Sequence, residues 1–133
     1  MSAIAHAAKH VAGASPRQHV VAKYLEAVIR LADVYGFSPR EVAATLSVDT
    51  STVHRWEHGL TSPSADGERS LKHVADCVSE LDDAFEDASA DAYTWLRNPL
   101  RGLGSKRPID VMTNGQVTRV TSSLGRINHG DPA

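Results

Sequence analysis

The chain has 133 residues, 41% hydrophobic and 23% charged, a balance that excludes an intrinsically disordered protein. Its 14 Lys and Arg against 16 Asp and Glu leave a net charge of −2, which argues against simple electrostatic binding of polyanions. One cysteine, Cys77, excludes a disulfide framework and a thiolate zinc cluster and fits a cytoplasmic setting, while the length allows one modest core or two small ones.

In chain order, residues 1–18 read as a flexible leader. Met1 to Ser15 is rich in alanine and histidine without a long apolar run, so neither a secretory signal nor a membrane span is expected. His6 and His10 stand at i, i+4, a spacing that gives incidental metal affinity rather than a built site. Residues 19–64 read as a helix-turn-helix region. Val21, Leu25, Val28, Ile29 and Leu31 give a scaffold helix from Val20 to Tyr35, which Gly36 stops. Ser38-Pro39 with Glu41 forms a capping-box pattern, and Val42, Ala43 and Leu46 make the apolar face of the next short helix.

Ser47-Val48-Asp49 then reads as the turn, with Asp49 or Thr50 capping a second helix that Gly59 closes. Val53 and Trp56 point to the core. Thr50, Ser51, Thr52, His54 and Arg55 are left to face outward, where a major groove accepts short polar groups and arginine. Operator DNA is therefore a candidate partner, Arg55 serving either a guanine edge or a phosphate. A three-helix core with a merely solvated polar face gives the same pattern.

Thr61 to Gly67, with its Ser-Pro and Asp-Gly steps, reads as a linker, and residues 65–133 as a second helical region. Leu71, Val74, Val78, Leu81 and Phe85 form an apolar stripe that is either core or a homodimer seam. Ala88 to Leu96 is a short helix broken by Asn98-Pro99. A basic glycine loop from Leu100 to Arg107, a helix from Pro108 to Met112 and another from Gln116 to Ile127 follow. The fold class is all-α.

Charge is segregated along this second region. Asp76, Glu80, Asp82, Asp83, Glu86, Asp87 and Asp91 occur without an intervening Lys or Arg, whereas Arg97, Arg101, Lys106, Arg107, Arg119 and Arg126 face Asp110 alone. Opposed patches of this kind favour a shaped protein partner or a second copy of the chain. Enzyme chemistry is not expected: the seven histidines include no HExxH pair, no GxSxG elbow is present, and adjacent Asp82 and Asp83 diverge on a helix. No cofactor or metal is called for.

Trp95-Leu96-Arg97-Asn98-Pro99-Leu100 with Gly102-Leu103-Gly104, then Arg107-Pro108-Ile109-Asp110-Val111-Met112, and finally Gly125-Arg126-Ile127-Asn128-His129-Gly130, together resemble the toxin-binding domain of Xre/MbcA/ParS-type antitoxins. Counting the helix-turn-helix, the similarity runs from Phe37 to the end, with Asn128 at a place that is commonly acidic. The resemblance implies a type II antitoxin whose cognate toxin is a RES-domain protein acting on NAD. It also implies occlusion of the toxin's cleft by the C-terminal domain, autorepression through the helix-turn-helix, and a homodimer within a larger complex. On that reading Arg97, Lys106, Arg107, Arg119 and Arg126 supply charge-assisted bonds to the toxin, and Arg126, Asn128 and His129, at a chain end, reach into its cleft. For Arg107 a salt bridge at a helix start is the competing role, and Trp95 and Leu96 read first as core. A stand-alone helix-turn-helix regulator with a C-terminal dimerisation region is the alternative.

Overall fold

A computed structural model describes residues 15–130, and among these the chain is all-α. Helix α1 spans Pro16–Asp33, α2 Pro39–Thr45, α3 Thr50–Glu57, α4 Ala65–Phe85, α5 Ser89–Leu96, α6 Pro108–Thr113 and α7 Val117–Asn128, with one 3-10 turn at Arg101–Leu103. The His6–His10 pair lies outside the described residues.

Local capping chemistry sets the starts. Ser15 and Gln18 form a reciprocal capping box in front of Pro16, so α1 begins inside the stretch expected to be leader, and the boundary at residue 18 falls within its first turn. Ser38 and Glu41 form a second box before Pro39. Helix α2 ends through Ser47 at φ 60, whose N–H bonds Ala44 O while that of Val48 bonds Ala43 O. The left-handed residue of this turn is therefore a serine. Helix α3 closes the same way, Gly59 at φ 68 donating to Trp56 O and Leu60 to Arg55 O.

The division at 64/65 is not a boundary between separate bodies. Ser64 caps α4 by accepting from Gly67 N at 3.2 Å, so Asp66-Gly67 is the first turn of a helix and not a loop. Gly67 lets the Trp56 ring pack closely on this turn, since a Cβ there would stand only 3.0 Å from it. Along α4 the side chains of Leu71, Val74, Cys77, Val78 and Leu81 are almost entirely out of solvent. They are covered by α1 from the first half of the chain and by α7 from the second. The stripe is thus core and not a dimer seam; only Phe85, at its end, stays half-buried. Helix α2 likewise packs on α6. One continuous cluster results, running from Leu25 to Leu124.

Polar contacts lock the same arrangement. Arg30 Nε and a terminal nitrogen donate to the two oxygens of Asp82 at 3.1 and 2.7 Å, and the Tyr35 hydroxyl donates to the same carboxylate. Burial, then the Asp82 acceptor, push the Tyr35 phenol upward, so it remains a proton donor throughout the working range.

A shared core predicts a shared transition. Denaturant unfolding followed at Trp56, in the first half, and at Trp95, in the second, should give coincident curves. Leu81→Ala should lower stability by about 2–5 kcal/mol on both probes. Two separated midpoints would contradict the single core.

Candidate functional site

The second helix of the helix-turn-helix, α3, is organised by its cap. Asp49 accepts from Thr52 N at 2.8 Å and from Thr52 Oγ1 at 2.6 Å, so Asp49 and not Thr50 is the capping residue. Arg55 donates to the same Thr52 hydroxyl at 3.2 Å. The Thr52 hydroxyl bond, then its amide bond, hold the Asp49 carboxyl below the usual carboxylate range. Thr52, expected among the outward-reading residues, is instead half-buried and committed at its hydroxyl as donor to Asp49 and acceptor from Arg55. Its hydroxyl thereby links the Asp49 cap to the Arg55 guanidinium.

Thr50, Ser51, His54 and Arg55 are exposed, and Val53 and Trp56 face inward. The imidazole of His54 lies 4.1 Å from that of His58, which also meets the His54 carbonyl at 2.9 Å. An open cleft of about 830 Å³ runs along this helix, with Val28, Ile29, Pro39 and Val42 on one side and Ser51, His54, Arg55 and Glu57 on the other. Burial raises the Glu57 carboxyl. Short polar groups and one arginine on the outer face are what a groove-reading helix presents.

The C-terminal residues divide into engaged and free. Arg97 is an internal brace and not an open surface cation. It donates to Tyr93 O at 3.1 Å, Tyr35 O at 3.1 Å and Gly36 O at 3.2 Å, and its guanidinium lies 3.6 Å from the Tyr93 ring centre. Gly36 is required in this joint: it sits at φ 76, and a Cβ there would come within 2.8 Å of the Tyr93 ring. Arg107 forms a two-pronged bond to Asp110 at 2.7 and 2.8 Å, so its helix-start role is the one observed.

Nor are Asn128 and His129 without partners. Asn128, in the last turn of α7, donates to the Glu80 carbonyl at 3.1 Å and to the Glu80 carboxylate, which pins α7 to α4. The His129 ring meets Gly125 O at 2.7 Å and finishes its own helix. Arg126 to Asn128 are therefore the last turn of α7 and not a tail reaching out, because Leu124 and Val120 anchor that helix in the core. Arg119 donates to Gln116 at 2.8 Å at the start of the same helix.

Lys106, Arg101 and Arg126 remain exposed with no side-chain partner among the described residues. Arg101 and Arg126 line one small cavity of about 40 Å³ together with Trp95, Leu100, Gly102 and Ser123. Backbone bonds between Leu100 and Lys106, and from Ser105 N to Leu100 O, fold the loop so that Arg101 stands beside α7. Leu96 is core, whereas Trp95 is half-buried, its ring centre 5.8 Å from that of Phe85. In the sequence Arg101 is one cation of a basic glycine loop and of the basic patch. The neighbouring Gly102 and Gly104 mark a tight reversal, a signal that it returns toward the following helices.

Cys77 is in the core, where burial pushes its thiol up to about 12, so it is not a nucleophile. No cluster of three His, Cys, Asp or Glu side chains that could hold a metal, and no helix long and apolar enough to cross a membrane, occurs among the described residues.

Residues 80–130 match the family model of the antitoxin Xre/MbcA/ParS C-terminal toxin-binding domain. The match begins in the second half of α4 and takes in the Arg101–Arg126 surface. No curated protein matches the chain. Among solved structures, a chain of the crystal structure of the M. tuberculosis MbcT-MbcA toxin-antitoxin complex is similar, with a TM-score of 0.62 at 21% identity over 82% of this chain and 96% of that one. The fold is accordingly all-α, an N-terminal helical region followed by an Xre/MbcA/ParS-type C-terminal domain.

The Asp49 cap has a definite pH sign. A carboxyl whose folded pKa is lowered contributes fully above its unfolded value and loses that contribution as pH falls through the folded one. Asp49→Ala should speed amide exchange at Thr52 and Val53, whereas Asp49→Asn, which keeps an acceptor without titrating, should preserve protection as the solution is acidified. Equal exchange in all three proteins would remove the cap from the account of α3.

Proposed function

We propose that this chain is an antitoxin: it binds a toxin through the surface built by residues 95–126 and silences it by covering its active-site cleft. The observation that carries this reading is that the segment matching a toxin-binding domain presents cations, Arg101, Lys106 and Arg126, with no carboxylate partner of their own. A surface left with uncompensated charge is suited to a protein that brings the opposite sign. The chain needs no catalytic group and no cofactor for this role, because occlusion is a matter of shape and charge.

The toxin is a RES-domain protein that degrades NAD, a choice supported by the resemblance of the Trp95 to Gly130 motifs. The cleft is covered by a face formed from the 100–107 loop and α7. A free tail does not suit this part, since Asn128 and His129 are engaged within the chain. Assembly into a homodimer within the toxin complex belongs to the same reading. Its seam lies away from the α4 stripe, which the core already uses.

A second activity is supported by α3. Its exposed Thr50, Ser51, His54 and Arg55, with Arg55 steadied by Thr52, suit insertion into the major groove of operator DNA and autorepression. Taken alone, that surface equally suits a stand-alone transcriptional regulator.

NAD consumption by a RES-domain toxin, tested as the cognate partner, separates the two. Stoichiometric loss of activity on adding the purified chain, with a stable complex by size-exclusion chromatography and light scattering, is the expected result. Absence of both inhibition and complex would leave the regulator alone. For the DNA face, Arg55→Ala should weaken operator binding by about 1–3 kcal/mol if the side chain reads a base. A loss spread evenly over specific and unrelated DNA would assign it to phosphate contact instead.

A further inference from the structure

We infer that the cavity between Arg101 and Arg126 is a seat for a single carboxylate of the protein partner, an Asp or Glu side chain that enters between the two guanidinium groups against the Trp95 ring. The inference rests on the antitoxin reading and deepens it by naming the chemistry of the contact.

Size comes first. At about 40 Å³ the cavity is comparable with the roughly 30 Å³ share of one liquid water, so it admits the tip of a side chain and not a nucleotide ring. Charge comes second. Arg17, Arg30, Arg69 and Arg107 each pair with a carboxylate of the chain, whereas Arg101 and Arg126, drawn from separate elements, share this one cavity and have no acid partner. Two arginines that line one small space can bring fork-shaped donors to a carboxylate at its mouth. Third, the Trp95 and Leu100 walls exclude water on one side, which strengthens a charge-assisted bond relative to an open surface pair.

Surrounding charge selects a protein over a nucleic acid. Trp95 packs on Phe85, which is followed by Glu86 and Asp87, and Asp91 stands one helical turn before Trp95. All three acids are exposed. A continuous phosphate backbone laid over the cavity would meet this acidic rim, whereas one carboxylate on a folded partner need not. The partner is therefore expected to set cations beside its inserted acid, opposite Glu86, Asp87 and Asp91.

The test uses the full chain and the RES-domain toxin tested above as its cognate partner, with affinity read by calorimetry. Arg101→Ala and Arg126→Ala should each weaken the complex about tenfold or more, with melting temperatures unchanged because neither side chain has an internal partner. A third variant reverses the sign at the seat: Arg101→Glu should weaken binding more than Arg101→Ala, because it repels an inserted carboxylate. Wild-type binding matched by all these variants would overturn the seat while leaving the antitoxin reading intact. Absence of wild-type binding would overturn both. Loss of DNA affinity in Arg101→Ala and Arg126→Ala with toxin affinity unchanged would give the pair to a polyanion and likewise overturn the inference.

Discussion

Everything in this molecule depends on burying α4 on two sides at once. Its apolar positions recur over most of 21 residues and cover too wide an arc for one neighbour. Helix α1 takes one flank and α7 the other, and the ends of the described chain are drawn together around the middle. Each fully buried Leu or Val on that helix contributes roughly 1.5–3 kcal/mol by removal from water, more than any exposed ion pair on the surface supplies. The Arg30–Asp82–Tyr35 cluster and the Asn128–Glu80 clamp fix register on the two flanks; the apolar stripe does the holding.

The sequence was most legible where structure is decided locally. Ser38-Pro39 with Glu41, Asp49 before Thr52, and Pro108 after Arg107 each announce a helix start through atoms a few residues apart, and each start lies where that chemistry puts it. The inward pair Val53 and Trp56 and the stripe on α4 followed from helical spacing alone. The motifs from Trp95 to Gly130 likewise pointed to the domain family that the 80–130 match supports.

What could not be read was set by partners distant in the chain. Gly67 looks like a turn glycine until Trp56 is brought against it. Arg97 looks like a surface cation, yet two of its acceptors, Tyr35 O and Gly36 O, lie 62 and 61 residues earlier. Asn128 looks like part of a loose tail until Glu80, 48 residues away, is found to hold it. In each case residue type stated a chemical capacity, and only the fold stated where that capacity was used. The candidate contact surface consequently narrowed to the loop cation Arg101, with Lys106 and Arg126.

The brace from Arg97 to the α1–α2 turn has a bearing on how such proteins diversify. A helix-turn-helix half and a partner-binding half joined by a limp tether could be exchanged between relatives as independent cassettes. Here a transplanted C-terminal half would have to bring a guanidinium for the Tyr35 and Gly36 carbonyls, a ring matching Gly36, and an α7 fitted to the far side of α4. Recombination at the visually obvious joint near Ser64 would break all of these together. Point changes at exposed positions of the 100–107 loop, by contrast, leave the shared core untouched.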